Sequence, residues 1–326
     1  MVNKKWTSIR PPFSFNFHRN PHFKAWSLWH WSNFLHATIP LGKKVVRINY
    51  DETCVQVFNS RLRGNLVNVA RKKKKEPASL TRNTHGFNPN LALAHLVCVC
   101  DDMEIQRLLP QVILVRESSV SEATAREISE EFGGKVCILR LERAWSTATV
   151  IREFFIRLRI ALRHFRGTHE FIVYGDAYRA HISQSVWETA GRAGFRYCVI
   201  PALMTWVFQP CDTHVLAGYK QNVRILFSQA LSNGGQAAFT FKAMIRWACI
   251  LCRDYLNKKM WKHAFEHCGL VGHQHLVSWA TVHKVGLDDV HNAPSTLPSL
   301  LELQSVFPRN QWLPLPHMFA AVLAQS

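Results

Sequence analysis

Continuous apolar runs alternate along this chain with stretches of three-to-four periodicity. Val45–Tyr50 and Cys54–Phe58 read as strands, and Leu91–Cys100 as a buried third strand. Phe171–Tyr174 and Tyr197–Ile200 are further short apolar runs of the same kind. From Ser146 to Phe165, residues Val150, Phe154, Leu158, Ala161, Leu162 and Phe165 recur at helical spacing and make one apolar face. A helix is expected over His181–Ala193. Another begins near Pro210, a residue suited to a first turn, with Val215, Tyr219, Val223, Phe227 and Ala230 as its stripe. After Gly234 the pattern is mostly helical, and past His291 the Pro-rich run reads as a poorly ordered tail. The alternation predicts an α/β protein.

Composition narrows the picture. With 326 residues and 48% hydrophobic positions, the chain can bury a proper core as one large domain or two ordinary ones. No stretch approaches 18 consecutive apolar residues, so no membrane partner is expected. Nine cysteines lack framework spacing, and Met1–Asn20 has no uninterrupted apolar core of a secretory signal, which predicts a soluble intracellular protein with reduced thiols. Lys and Arg number 40 against 22 Asp and Glu, a net charge of +18. A field of that size suits a polyanion, DNA or RNA before others.

The basic residues are unevenly placed. Residues 1–50 carry eight Lys/Arg, many aromatics and no acid. That segment reads as a nucleic-acid-tracking arm, an organelle transit peptide, or a short amphipathic helix at Ala25–His36 docked on the core. Arg71-Lys72-Lys73-Lys74-Lys75 is a nuclear-localisation candidate, a phosphate-gripping loop, or a plain solvated hairpin. Arg152, Arg159, Arg163 and Arg166 stack as a ridge that could follow a phosphate backbone or simply face water.

Three aspartates stand out by context. Asp51 closes the run Val45-Val46-Arg47-Ile48-Asn49-Tyr50, and Asp176 closes Phe171-Ile172-Val173-Tyr174-Gly175. Asp212 follows Trp206-Val207-Phe208-Gln209-Pro210-Cys211 and rides on or just before a helix start. Each could be an isolated cap or turn acid. Brought together they would repel, and such a cluster persists only with protons or metal to neutralise it. Two hard divalent cations held by carboxylates are the usual device for displacement at phosphorus.

The flanking residues resemble the DDE superfamily endonuclease domain of pogo/Tigger-like transposases, in the wider mariner group. Tyr50-Asp51-Glu52-Thr53 is similar to that family's opening "DEt", and Asp176–His181 to its "lDNaxxH". Trp206–Asp212 with Gly218-Tyr219-Lys220 resembles its "TwxLQPlD…fK", and Phe265–Leu270 its "aFxxxGl". Thirty-five residues separate Asp176 from Asp212, close to the family's spacing. Ala177 stands where the family usually has Asn, and Gly175 where an apolar residue is common.

The resemblance implies an RNase H-like mixed sheet flanked by helices, with helical N- and C-terminal additions. It divides the chain into a basic aromatic segment (1–44), the endonuclease domain (45–276) and a tail (277–326). It further implies that Asp51, Asp176 and Asp212 are catalytic and hold two Mg²⁺ or Mn²⁺ ions, and that the enzyme nicks and joins DNA as the product of a transposable element. The nucleus is the expected location, and a homodimer is left open. A non-catalytic, transposase-derived nucleic-acid-binding protein is the alternative. Arg179, His181, Lys220 and Arg224 lie close enough to the acids to be nucleic-acid contacts. Glu52 should point to the opposite sheet face from Asp51 and support the site from behind.

One further set is weighed. Cys249-x2-Cys252 and His263-x3-His267 pair like a C2H2 zinc site, with His273 and His275 nearby. Only ten residues separate the pairs, and both cysteines fall on the apolar side of a helix, so zinc is not expected there.

Overall fold

The computed structural model describes Leu28 and residues 39–56, 92–234 and 240–271. Most of the basic N-terminal segment, the 71–75 block, the second half of the proposed Cys54–Phe58 strand, His273, His275 and the tail lie outside the described residues.

Six strands form one mixed sheet: β1 (Lys44–Gln56), β2 (Ala92–Cys100), β3 (Gln111–Arg116), β4 (Val136–Leu141), β5 (His169–Asp176) and β6 (Arg196–Ile200). Their order is β4-β3-β2-β1-β5-β6. β1, β2 and β3 pair antiparallel, whereas β1, β5 and β6 run parallel, as do β3 and β4. This is an RNase H-like sheet, with β4 extending the antiparallel side by a parallel strand. Val45–Tyr50 and the start of Cys54–Phe58 belong to a single strand, β1, because Thr53 and Cys54 continue the ladder to His95 and Ala94 without a turn. β3 and β4, together with the helix between them, have no counterpart in the sequence reading.

The helices are α1 (Met103–Gln106), α2 (Glu122–Glu131), α3 (Ala148–Ala161), α4 (Gln184–Arg192), α5 (Thr205–Phe208), α6 (Leu216–Gly234), α7 (Phe241–Leu251) and α8 (Lys262–His267). A π-helical turn, Cys211–Val215, leads into α6, and another, Cys252–Leu256, continues α7. α4 begins three residues later than the expected helix, because Tyr178–His181 is spent on a turn closed by the His181 N–H bond to the Tyr178 carbonyl.

Strand alternation then sorts β1 between two layers. Tyr50 faces α3, its ring 5.1 Å from Phe154 and 6.1 Å from Phe155. On the other side Asn49 faces the π-helical turn before α6, where its Oδ1 accepts from the Cys211 N–H at 2.8 Å. Thr53 pairs with His95, whose Nδ1 meets the Tyr219 hydroxyl on α6 at 2.8 Å. Burial lowers the His95 pKa to about 3, so this imidazole is neutral. Local capping fixes the starts of helices; the Ser121 hydroxyl accepts from Thr124 N at 3.1 Å to begin α2. Ser121→Ala should cost about 1 kcal/mol, a drop of roughly 2–4 °C in melting temperature.

Candidate functional site

Asp51 and Asp176 are brought together by strand register. The last rung of the parallel β1–β5 ladder is Asn49 with Tyr174, and two residues further on each strand stand Asp51 and Asp176. The third acid arrives through the Asn49–Cys211 hydrogen bond, which fixes the residue next to Asp212 beside β1. Asp51 is 8% exposed, Asp176 is half-buried, and Asp212 faces solvent. Burial and then the charges of Asp212, Glu52 and Asp176 push the Asp51 carboxyl well above the ordinary range. Cys211, buried between them, is raised by burial and by the charges of Asp51 and Asp212 as well. The three aspartates therefore share one electrostatic neighbourhood, at the carboxyl end of β5, where Asp176 closes the strand, and beside the middle of β1, where Asp51 lies within the ladder to β2 rather than ending its strand.

Glu52 lies across the sheet from Asp51, as alternation requires, yet it is tied into the same site. His181 donates from Nδ1 to Asp176 Oδ1, in a short contact, and from Nε2 to Glu52 Oε1 at 2.9 Å. With a carboxylate on each ring nitrogen, both nitrogens act as donors and the ring is an imidazolium. Burial opposes that charge, but the hydrogen bonds and charges of Asp176 and Glu52 prevail and raise its pKa to about 10. His181 is 0% exposed. Its expected role as a nucleic-acid contact is corrected accordingly: no face of the ring is free for a phosphate, and it orients Asp176 instead. The sequence signal was its five-residue offset from Asp176 across a tight turn, but its second partner, 129 residues away, was not foreseeable. Arg179, Lys220 and Arg224 are all exposed, around the same sheet end or along α6.

Gly175 has a physical reason. Tyr50 and Tyr197 share a buried hydrogen bond of 2.6 Å, and a Cβ on residue 175 would run into the Tyr197 hydroxyl and lie 2.8 Å from that of Tyr50. Only glycine leaves room for both hydroxyls against β5.

Carboxylate oxygens such as those of Asp51, Asp176 and Asp212 suit hard cations, while Glu52, on the other face of β1, is tied to them through the internal imidazolium of His181. Among the described residues no three His, Cys, Asp or Glu side chains are already arranged to hold a metal ion. The contacts account for this. Asp176 Oδ1 is engaged by His181 and by the Tyr178 N–H at 3.1 Å, and Asp51 Oδ1 accepts from the Glu52 N–H at 2.9 Å. Gln209, three residues before Asp212, is fully buried, and neither end of its amide has a hydrogen-bond partner among the described residues.

No protein-family model matches the chain, and no curated protein is significantly similar to it. Among solved structures it is similar to the Mos1 strand transfer complex, with a TM-score of 0.40 and 11% identity over 83% of this chain and 63% of that one. A pre-cleavage Mos1 transpososome gives 0.39 and 11% over 83% and 64%. A Mos1 mariner paired end complex with Mn gives 0.33 and 14% over 77% and 63%. The chain thus spans less than two thirds of these chains. Likeness at this level bears on neither site nor substrate.

The second constellation divides. Cys249 and Cys252 are buried in the core, and the Cys252 sulfur lies 3.5 Å from His95 Nε2. His263 and His267 are exposed and meet His214 instead. The C2H2 quartet is not assembled. No helix among the described residues is long and apolar enough to cross a membrane.

Proposed function

We propose that this protein carries out divalent-metal-dependent phosphoryl transfer on DNA, nicking a strand and joining the resulting 3′-hydroxyl to a target. The observation that carries the reading is the convergence of charge on Asp51, whose carboxyl is pushed up first by burial and then by the charges of Asp212, Glu52 and Asp176 around it. Asp51, Asp176 and Asp212 would hold Mg²⁺ or Mn²⁺. Such ions activate an attacking hydroxyl and stabilise the leaving oxygen. Glu52 and His181 act through Asp176, fixing its carboxylate while the imidazolium offsets part of the negative charge. Arg179, Lys220 and Arg224 place cations on the surface where a phosphate backbone would approach, within a net charge of +18. Action in the nucleus and as a homodimer belong to this same reading.

The direct test is nicking of duplex DNA by the full chain with Mg²⁺ or Mn²⁺ and with chelator. Activity that survives chelation, or is absent with either ion, overturns the proposal. Binding supplies a separate check. Lys220→Ala and Arg224→Ala should each weaken DNA affinity alike for all sequences and lower the slope of log affinity against log salt by about 1.

A non-catalytic DNA-binding role is the second reading, favoured by Ala177 in place of the asparagine of the resembled family and by the engagement of Asp176 with His181. It predicts DNA affinity that is unchanged by Mn²⁺ and no cleavage.

A further inference from the structure

Three imidazoles meet beside the acid site without being part of it. His214 belongs to the π-helical turn that carries Asp212, and His263 and His267 are four apart on α8, so they share one face. His214 Nε2 is 3.2 Å from His267 Nδ1. Ring centres lie 5.1 Å apart for His214 and His267, 5.6 Å for His214 and His263, and 6.2 Å for His263 and His267.

We propose that His214, His263 and His267 bind one borderline divalent cation of the zinc class, which clasps α8 to the turn bearing Asp212. Two nitrogens bound to one tetrahedral zinc ion at its usual ligand distance stand about 3.3 Å apart. The His214–His267 pair already has that separation. Adding the ring radius to the ligand distance places the ring centres of such imidazoles roughly 5 Å apart. His263 must move inward by about 1 Å on that criterion; it is exposed, and its ring stacks 6.2 Å from that of Trp261. Without metal, the two facing nitrogens share a proton, so the rings hydrogen-bond to each other and three donor atoms do not yet converge.

The lone pair on His214 is set by its neighbours. Thr213 has one hydroxyl hydrogen, and its oxygen lies 2.9 Å from the Gln209 carbonyl, to which it donates. The same oxygen, 2.7 Å from His214 Nδ1, therefore accepts from that nitrogen. His214 Nε2 is left unprotonated and faces His267, as a metal ligand held by an outer hydrogen bond should be. On binding, His267 moves its proton from Nδ1 to Nε2, and no net proton is released. Imidazole donors suit zinc, nickel and cobalt, whereas the acids suit Mg²⁺ and Mn²⁺, so the two sites differ in chemistry. The clasp does not rest on the phosphoryl-transfer reading. It uses none of the C2H2 cysteines.

Co²⁺ alone, added to the full chain, reports the site through the visible absorption of a tetrahedral complex. One equivalent should bind and be displaced by Zn²⁺. Thr213→Val should weaken binding about 10–100-fold. His263→Ala and His267→Ala, both at exposed positions, should abolish the band while circular dichroism confirms the fold. Asp51→Asn should leave the band intact. Absence of a tetrahedral band in the wild type, a band unchanged by either histidine substitution, or a band lost in Asp51→Asn overturns the proposal. None of these outcomes depends on whether DNA is cut.

Discussion

Asp51→Asn is expected to lose Mg²⁺- or Mn²⁺-dependent nicking by about 10³-fold or more, some 4 kcal/mol of barrier, while making the metal-free protein more stable. The two effects have one origin. Asp51 is buried, and burial plus the charges of Asp212, Glu52 and Asp176 raise its carboxyl pKa. A raised acid pKa means that the native state holds a proton which the unfolded chain has released. Below the ordinary carboxylate range both states are protonated and there is no penalty. As pH rises from there through the elevated native pKa, stability is lost, and at neutral pH the penalty is in place. Asparagine carries no charge, so the variant should escape that loss by about 1 kcal/mol or more at pH 7, roughly 2–4 °C in melting temperature, with little difference in acid. Urea melts at acidic and neutral pH, paired with nicking assays, measure both. Full nicking activity in Asp51→Asn would remove this residue from the chemistry, and an unchanged pH profile would remove the charge cluster.

Gly175→Ala should be the most destabilising small substitution near the site, at about 2–4 kcal/mol, roughly 5–15 °C in melting temperature. The added methyl enters the space of the Tyr197 hydroxyl and presses on that of Tyr50, and both rings are completely buried. Relief requires breaking their 2.6 Å hydrogen bond or shifting β5 relative to β1. Either route also displaces Asp176, the next residue. The cause is separable by a double-mutant cycle. Tyr197→Phe removes the atom the methyl meets first, so the pair Gly175→Ala and Tyr197→Phe should recover at least about 1 kcal/mol over the sum of the singles. Strict additivity in chemical denaturation would show that the glycine serves some other purpose.

These residues also mark how far the linear pattern carries. β1, β5 and β6 were legible because each is a bounded apolar run, and α3 because its apolar positions repeat at helical spacing over about four turns. The acids were conspicuous as charges terminating such runs. β3 and β4 were not read, although at six residues each is longer than β6. Nor was the role of His181, whose two carboxylate partners come from different strands, β1 and β5.

By itself, then, the sequence determined the α/β class, the strongly basic field and the three aspartates, because hydrophobic period and charge are local properties that each segment carries into any fold. Only the tertiary structure decided that Glu52 and Asp176 share one buried imidazolium, that Gly175 makes room for two hydroxyls, and that His214 meets His263 and His267 across 49 and 53 residues of chain. Those are consequences of strand register and helix docking, and no segment holds that information until the sheet has closed around it.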